Sequence, residues 1–169
     1  MMTPILLLTL LAQAPPEGLG RGWLGEFDLA SRQLLQLAEA TPAEQFKYSP
    51  SPGTRTTAQL YMHVAIGNYF LLNQAGAKTG GPNWSDKIER DTESKISSKA
   101  EVIKWLSQSF AAVKEAYPTI DGNKQANFLG KPGPASNVLL RILVHNHEHM
   151  GQAIAYARSS GVKPPWSGK

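Results

Sequence analysis

The sequence predicts an all-α protein, a four-helix bundle. Three observations point there. Four long segments repeat apolar residues at helical spacing, helix start and stop signals bracket those segments, and no run alternates apolar and polar residues between hairpin turns. A chain of 169 residues suits one domain with its own hydrophobic core.

The first helix begins at Trp23, where Leu24, Phe27, Leu34, Leu35, Leu37 and Ala38 recur up to Ala40. Thr41-Pro42-Ala43-Glu44 combines an N-cap residue, a proline at the first helical position and an early acid, so a short helical turn starts there. Two prolines and a glycine make Tyr48 to Gly53 a loop. The second helix opens in Thr54-Arg55-Thr56-Thr57 and runs to about Asn73, with Leu60, Val64, Gly67 and Leu71 on one stripe and His63 on the same face. Ala75 to about Ile96 reads as a polar, Gly-rich loop. Ser98-Lys99-Ala100-Glu101 is a capping box opening the third helix, which carries Val102, Ile103, Leu106, Phe110 and Val113 and stops before Pro118. Thr119 to Gly133 reads as a second loop. Pro134 then leads the longest periodic segment, closed by Gly161 and by Pro164 and Pro165.

Composition narrows the chemistry. The 169 residues include no cysteine, which excludes disulfides, thiolate metal sites and a cysteine nucleophile. Any metal must be held by imidazole, carboxylate or water. The net charge of +4 is mild, and its Lys and Arg residues are scattered, whereas a nucleic-acid binder concentrates them on one face. We therefore expect no nucleic-acid partner.

Residues 1–14 resemble an export signal. An apolar run from Ile5 to Ala12, too short to cross a bilayer, ends in Ala12-Gln13-Ala14, and Pro-rich sequence follows. The other reading is a hydrophobic helix packed on the domain, since no Lys or Arg precedes the run. On the export reading, 1–14 is a signal peptide, 15–22 a lead-in and 23–169 the bundle, and the protein is periplasmic or secreted. No later segment is a membrane span.

Three of the four histidines stand in "LVHNHEHMGQ" as His145, His147 and His149. On a strand all three would share a face. The flanks, Leu139 to Leu143 and Ala153 to Ala157, are rich in helix formers, which makes the segment helical. His145 and His149 then stack one turn apart while His147 faces away. Such a pair can aim nitrogens at one cation about 2.0–2.1 Å from each, and His63 is the one histidine left to add a third ligand. Three protein ligands leave open positions, the arrangement of a catalytic site. The alternative is that these are core histidines with ordinary hydrogen bonds. His145 to His149 also fits H-x-x-E-H, but no Glu or Asp follows His149, so the inverted zinc-protease reading is rejected.

Residues 34 to 72, around His63, and 143 to 165, with His149-Met150-Gly151-Gln152 and the closing Gly161-Val162-Lys163-Pro164-Pro165, resemble the DinB-like domain family. The resemblance implies a four-helix bundle, commonly a homodimer, with His63, His145 and His149 around a divalent metal at one end. It further implies chemistry like that of metal-dependent transferases and isomerases that use small thiol cofactors such as bacillithiol or mycothiol. Two features depart from the family. An exported protein meets few such thiols, and Met150 stands where an Arg or another His is common.

The sequence thus reads as a metal-dependent hydrolase or (thiol) transferase acting on a small-molecule substrate. Water or a thiolate at the cation would be the nucleophile. Imidazole suits zinc, nickel and iron alike. Glu148 and Gln152 are candidates to orient the imidazoles, and Tyr156 to line a pocket. The rival reading is a non-catalytic metal-binding or stress-response dimer.

Overall fold

The computed structural model describes residues 18, 20–79 and 86–168. The expected signal peptide and half of the lead-in lie outside the described residues. Five α-helices and one two-stranded hairpin are present among them: α1 Gly22–Ala40, α2 Thr57–Gln74, α3 Asp86–Lys95, α4 Lys99–Ala116, β1 Gln125–Phe128, β2 Lys131–Pro134 and α5 Ala135–Ser159. The four long helices form the expected bundle.

Packing runs in a closed cycle. α2 contacts α4 and α5, and α1 contacts the same two from the other side. α2 is therefore the most enclosed element, with Leu60, Met62, Val64, Ile66 and Leu72 all fully buried. Its start is fixed by a complete capping box, in which the Thr56 hydroxyl accepts from the Gln59 N–H and the Gln59 side chain accepts from the Thr56 N–H. The C-terminal carbonyls of α1 take a different cap. Lys99 Nζ donates to Glu39 O and Thr41 O, each at 2.7 Å, which pins α4 to the end of α1. At the other end the Trp23 indole N–H donates to Leu139 O at 3.0 Å, joining α1 to α5.

The structure corrects the loop readings. Residues 86–95 are not loop but α3, a helix whose sequence DKIERDTESK gives apolar periodicity nothing to detect. Charge supports it instead: Lys87 and Asp91 pair one turn apart at 2.6 Å, and Glu93 is buried against α2. Thr119 to Gly133 is not all loop either. Tyr117–Thr119 is a 3-10 turn, and β1 and β2 pair antiparallel in the register Gln125↔Pro134 to Phe128↔Lys131. Leu129 and Gly130 both take positive φ, 51° and 80°, as a two-residue hairpin turn requires. Pro132, Gly133 and Pro134 hide the strand from propensity, yet prolines are tolerated on an edge. At the end of α1, Thr41 is not the cap of the next turn. Its hydroxyl donates back to Leu37 O at 2.7 Å, and Pro42 holds the N-cap position of the 3-10 turn Ala43–Lys47. No helix among the described residues is long and apolar enough to cross a membrane.

Candidate metal centre

α2 and α5 meet face to face, and their contact is pinned by a buried polar chain. Asn146 Nδ2 donates to Asn68 Oδ1 at 2.7 Å, and Asn68 Nδ2 donates to Ser109 Oγ of α4 at 3.1 Å. Asn146 Nδ2 also donates to Ile142 O at 2.8 Å, and these buried bonds favour one register of α5 on α2, although Asn146 Oδ1 has no partner among the described residues. The residues next to Asn68 and Asn146 in sequence are Gly67 and His145. A Cβ on Gly67 would lie 2.4 Å from His145 Cε1. Only glycine leaves room for the ring.

That register brings His63, His145 and His149 together. One ligand atom from each lies within 4.8 Å of the others, a group that could hold a metal ion. The ring centroids are 5.0 Å apart for His63 and His145, 4.7 Å for His63 and His149, and 4.5 Å for His145 and His149. His145 and His149 are 7% and 8% exposed, and the His63 side chain 17%. His147, on the same helix, is absent from the cluster and half-buried elsewhere.

Each outer imidazole is oriented by a partner on its Nδ1. Glu93 Oε1 lies 2.8 Å from His63 Nδ1, and Gln152 Oε1 lies 2.9 Å from His149 Nδ1. With an oxygen acceptor at each Nδ1, the proton resides there and the Nε2 lone pair is left for the cluster. His145 Nε2 sits 3.2 Å from His63 Nε2, while His145 Nδ1 is buried without a hydrogen-bond partner. Around a tetrahedral cation bonded at 2.0–2.1 Å, ligand nitrogens would be roughly 3.3 Å apart, close to that separation. Ring nitrogens converging at that spacing fit a shared cation.

Electrostatics agree. Burial lowers the His145 pKa to about 2, with the neighbouring His149 and His63 adding to it. Burial also lowers His149, which its hydrogen bond to Gln152 opposes and His63 reinforces. Both rings are neutral at pH 7, the form that ligates. For Glu93, burial alone raises the carboxyl, but hydrogen bonds and charge from His63 and Arg55 outweigh it and hold the group below the ordinary carboxylate range. Arg55 Nε meets Glu93 Oε2 at 2.9 Å.

Of the two residues nominated from the sequence to orient imidazoles, Gln152 does so and Glu148 does not. Glu148 is exposed and pairs with Arg141 at 2.9 Å. Tyr156 is 6% exposed, its hydroxyl 3.5 Å from Gln152 Nε2, and its ring packs edge-on against Tyr48. Glu93 and Arg55 were invisible to sequence reasoning. A loop reading of 86–95 carried no register by which Glu93 could be placed beside His63.

Residues 26–153 match the sequence model of the DinB superfamily. No curated protein matches the chain. Among solved structures, the chain is similar to a DinB-like protein from Bacillus cereus ATCC 10987, with a TM-score of 0.73 and 19% identity over 85% of this chain and 94% of that one. At that identity the likeness speaks to the fold.

Proposed function

The chain belongs to the DinB superfamily, and from that footing we propose that His63, His145 and His149 bind a divalent cation of the zinc, nickel or iron type, in a metal-dependent hydrolase or transferase acting on a small molecule. The observation that carries the reading is the convergence of three imidazoles, two of them oriented through Nδ1 by Glu93 and Gln152. When bound, such a cation supplies a Lewis acid that polarises an oxygen or sulfur group. The chain's own residues do the rest. Glu93, itself held by Arg55, and Gln152 keep protons on the Nδ1 atoms of His63 and His149. The buried Asn68–Asn146 pair sets the depth of His145. A cleft beside the cluster, which both Glu93 and Gln152 line, favours chemistry over sequestration.

The test is a set of melting curves for wild type and His63→Ala, with and without chelator, alongside metal analysis. A cation bridging α2 and α5 stabilises the fold by mass action. Chelator should therefore lower the wild-type Tm and leave the variant unmoved. Equal chelator sensitivity, or full metal content in His63→Ala, would leave His63 a core histidine. The same reading includes a homodimer and export to the periplasm or medium after cleavage at Ala12-Gln13-Ala14. N-terminal sequencing of exported protein should then begin at Pro15, and recovery of intact Met1 from a cytoplasmic fraction would refute the leader.

A further inference from the structure

The cleft beside the histidines has a volume of about 580 Å³, and its walls include Arg55, Gln59, Arg90, Glu93 and Gln152. It borders the cluster through two of its walls: Glu93 contacts His63 Nδ1 and Gln152 contacts His149 Nδ1. Its volume lies in the range of small-molecule sites. Among the described residues its walls carry two guanidiniums, Arg55 and Arg90, and one carboxylate, Glu93.

Arg55 is not used up by that carboxylate. A guanidinium has five N–H donors in a planar fork. Nε donates to Glu93 Oε2 at 2.9 Å and Nη2 to Oε1 at 3.4 Å, which leaves the Nη1 side and the outer Nη2 hydrogen for the cleft. Glu93 thereby aims the fork as well as the imidazole. Arg90, from α3, is exposed at the same cleft. A divalent cation held by His63, His145 and His149 would add positive charge beside these guanidiniums. Among the described residues, the cleft therefore offers two guanidiniums whose planar forks suit an oxyanion.

We infer that this cleft is an oxyanion subsite, formed by Arg55 and Arg90, for a carboxylate- or phosphate-bearing small molecule whose reacting end is directed at His63, His145 and His149. The inference rests on the metal reading for the reacting end only. The arginine subsite stands on its own geometry.

The experiment is ligand-observed NMR with succinate, methylphosphonate and the uncharged succinamide, on the full chain, zinc-loaded and metal-free, for wild type and Arg90→Gln. Arg90 is exposed and is not among the three candidate ligands, so the variant should take up zinc as wild type does. Saturable binding of an oxyanion by wild type, weakened about tenfold in Arg90→Gln through loss of a charge-assisted hydrogen bond, is the expected result. Succinate alone would identify a carboxylate substrate, methylphosphonate alone a phosphate or phosphonate, and both a general oxyanion site. Equal binding of succinamide, equal binding by Arg90→Gln, or no saturable binding by wild type would each overturn the subsite. If zinc does not bind, the metal reading fails, and the same comparison on metal-free protein still decides the subsite.

Discussion

Glu93 and His63 lie thirty residues apart in sequence and meet at 2.8 Å, carboxylate to Nδ1. The contact ties the charged helix α3 to the candidate metal centre. Removing the carboxylate takes away the acceptor that faces His63 Nδ1. Glu93→Ala is expected to weaken divalent-metal binding by about tenfold to a hundredfold, with Glu93→Gln in between because it keeps an acceptor but loses the charge. Competition titration against a chelator measures this. Wild-type affinity in Glu93→Ala would reduce the pair to a helix tether.

Gly67 gives a sharper probe of position. A methyl group there would collide with His145 Cε1, at 2.4 Å, in the middle of a helix that alanine otherwise favours by about 1 kcal/mol over glycine. Gly67→Ala should keep the helical content of the bundle and lose metal affinity, because the His145 ring must swing out of the cluster. Circular dichroism and metal titration on one sample separate the two effects. A variant that binds metal normally would mean the ring has room the structure does not show.

The histidines also set a pH dependence for the metal-free protein. His145 and His149 are held neutral in the fold, burial being the largest cause, whereas in the unfolded chain they titrate near 6.5. The unfolded state therefore binds more protons below that value. Stability should be flat above about pH 6.5 and fall as pH drops below it, by up to about 1.4 kcal/mol per pH unit per group. For His145 the fall continues toward pH 2. Glu93 is shifted below its ordinary range, so its contribution is lost only at lower pH, on the carboxylate side. Urea unfolding of chelated protein from pH 8 to 5 should show the loss, and His145→Ala should flatten it.

His147 is the internal control. It lies two residues from each ligand candidate on the same helix but outside the cluster, half-buried beside Leu143, Val144 and Glu26. His147→Ala should leave metal stoichiometry unchanged and shift stability by no more than about 0.5 kcal/mol. Loss of metal on the scale of His145→Ala would contradict the helical geometry of the segment.

Much of this was legible in the chain itself. The four long helices were written in apolar spacing, and the ends of α2, α4 and α5 in Thr56, Ser98 and Gly161, because caps and periodicity are local properties that packing had no reason to override. Helical geometry alone separated His145 and His149 from His147, and Gln152 was within reach of His149 one turn on. Local signals failed where stability comes from elsewhere. α3 has a single apolar residue, Ile88, and the β2 strand reads Lys-Pro-Gly-Pro. Both form because the rest of the molecule gives them partners, Arg55 and His63 for Glu93 and the core for Ala126 and Phe128. Tertiary structure alone decided that His63 lies 3.2 Å from a residue 82 positions away, that Gly67 is the gap into which His145 fits, and that Arg55 and Arg90 flank the same cleft. Helical periodicity says which face a residue occupies. Which faces meet, and at what depth, depends on the register set by long-range contacts such as Asn68 to Asn146, and no spacing along the chain encodes that directly.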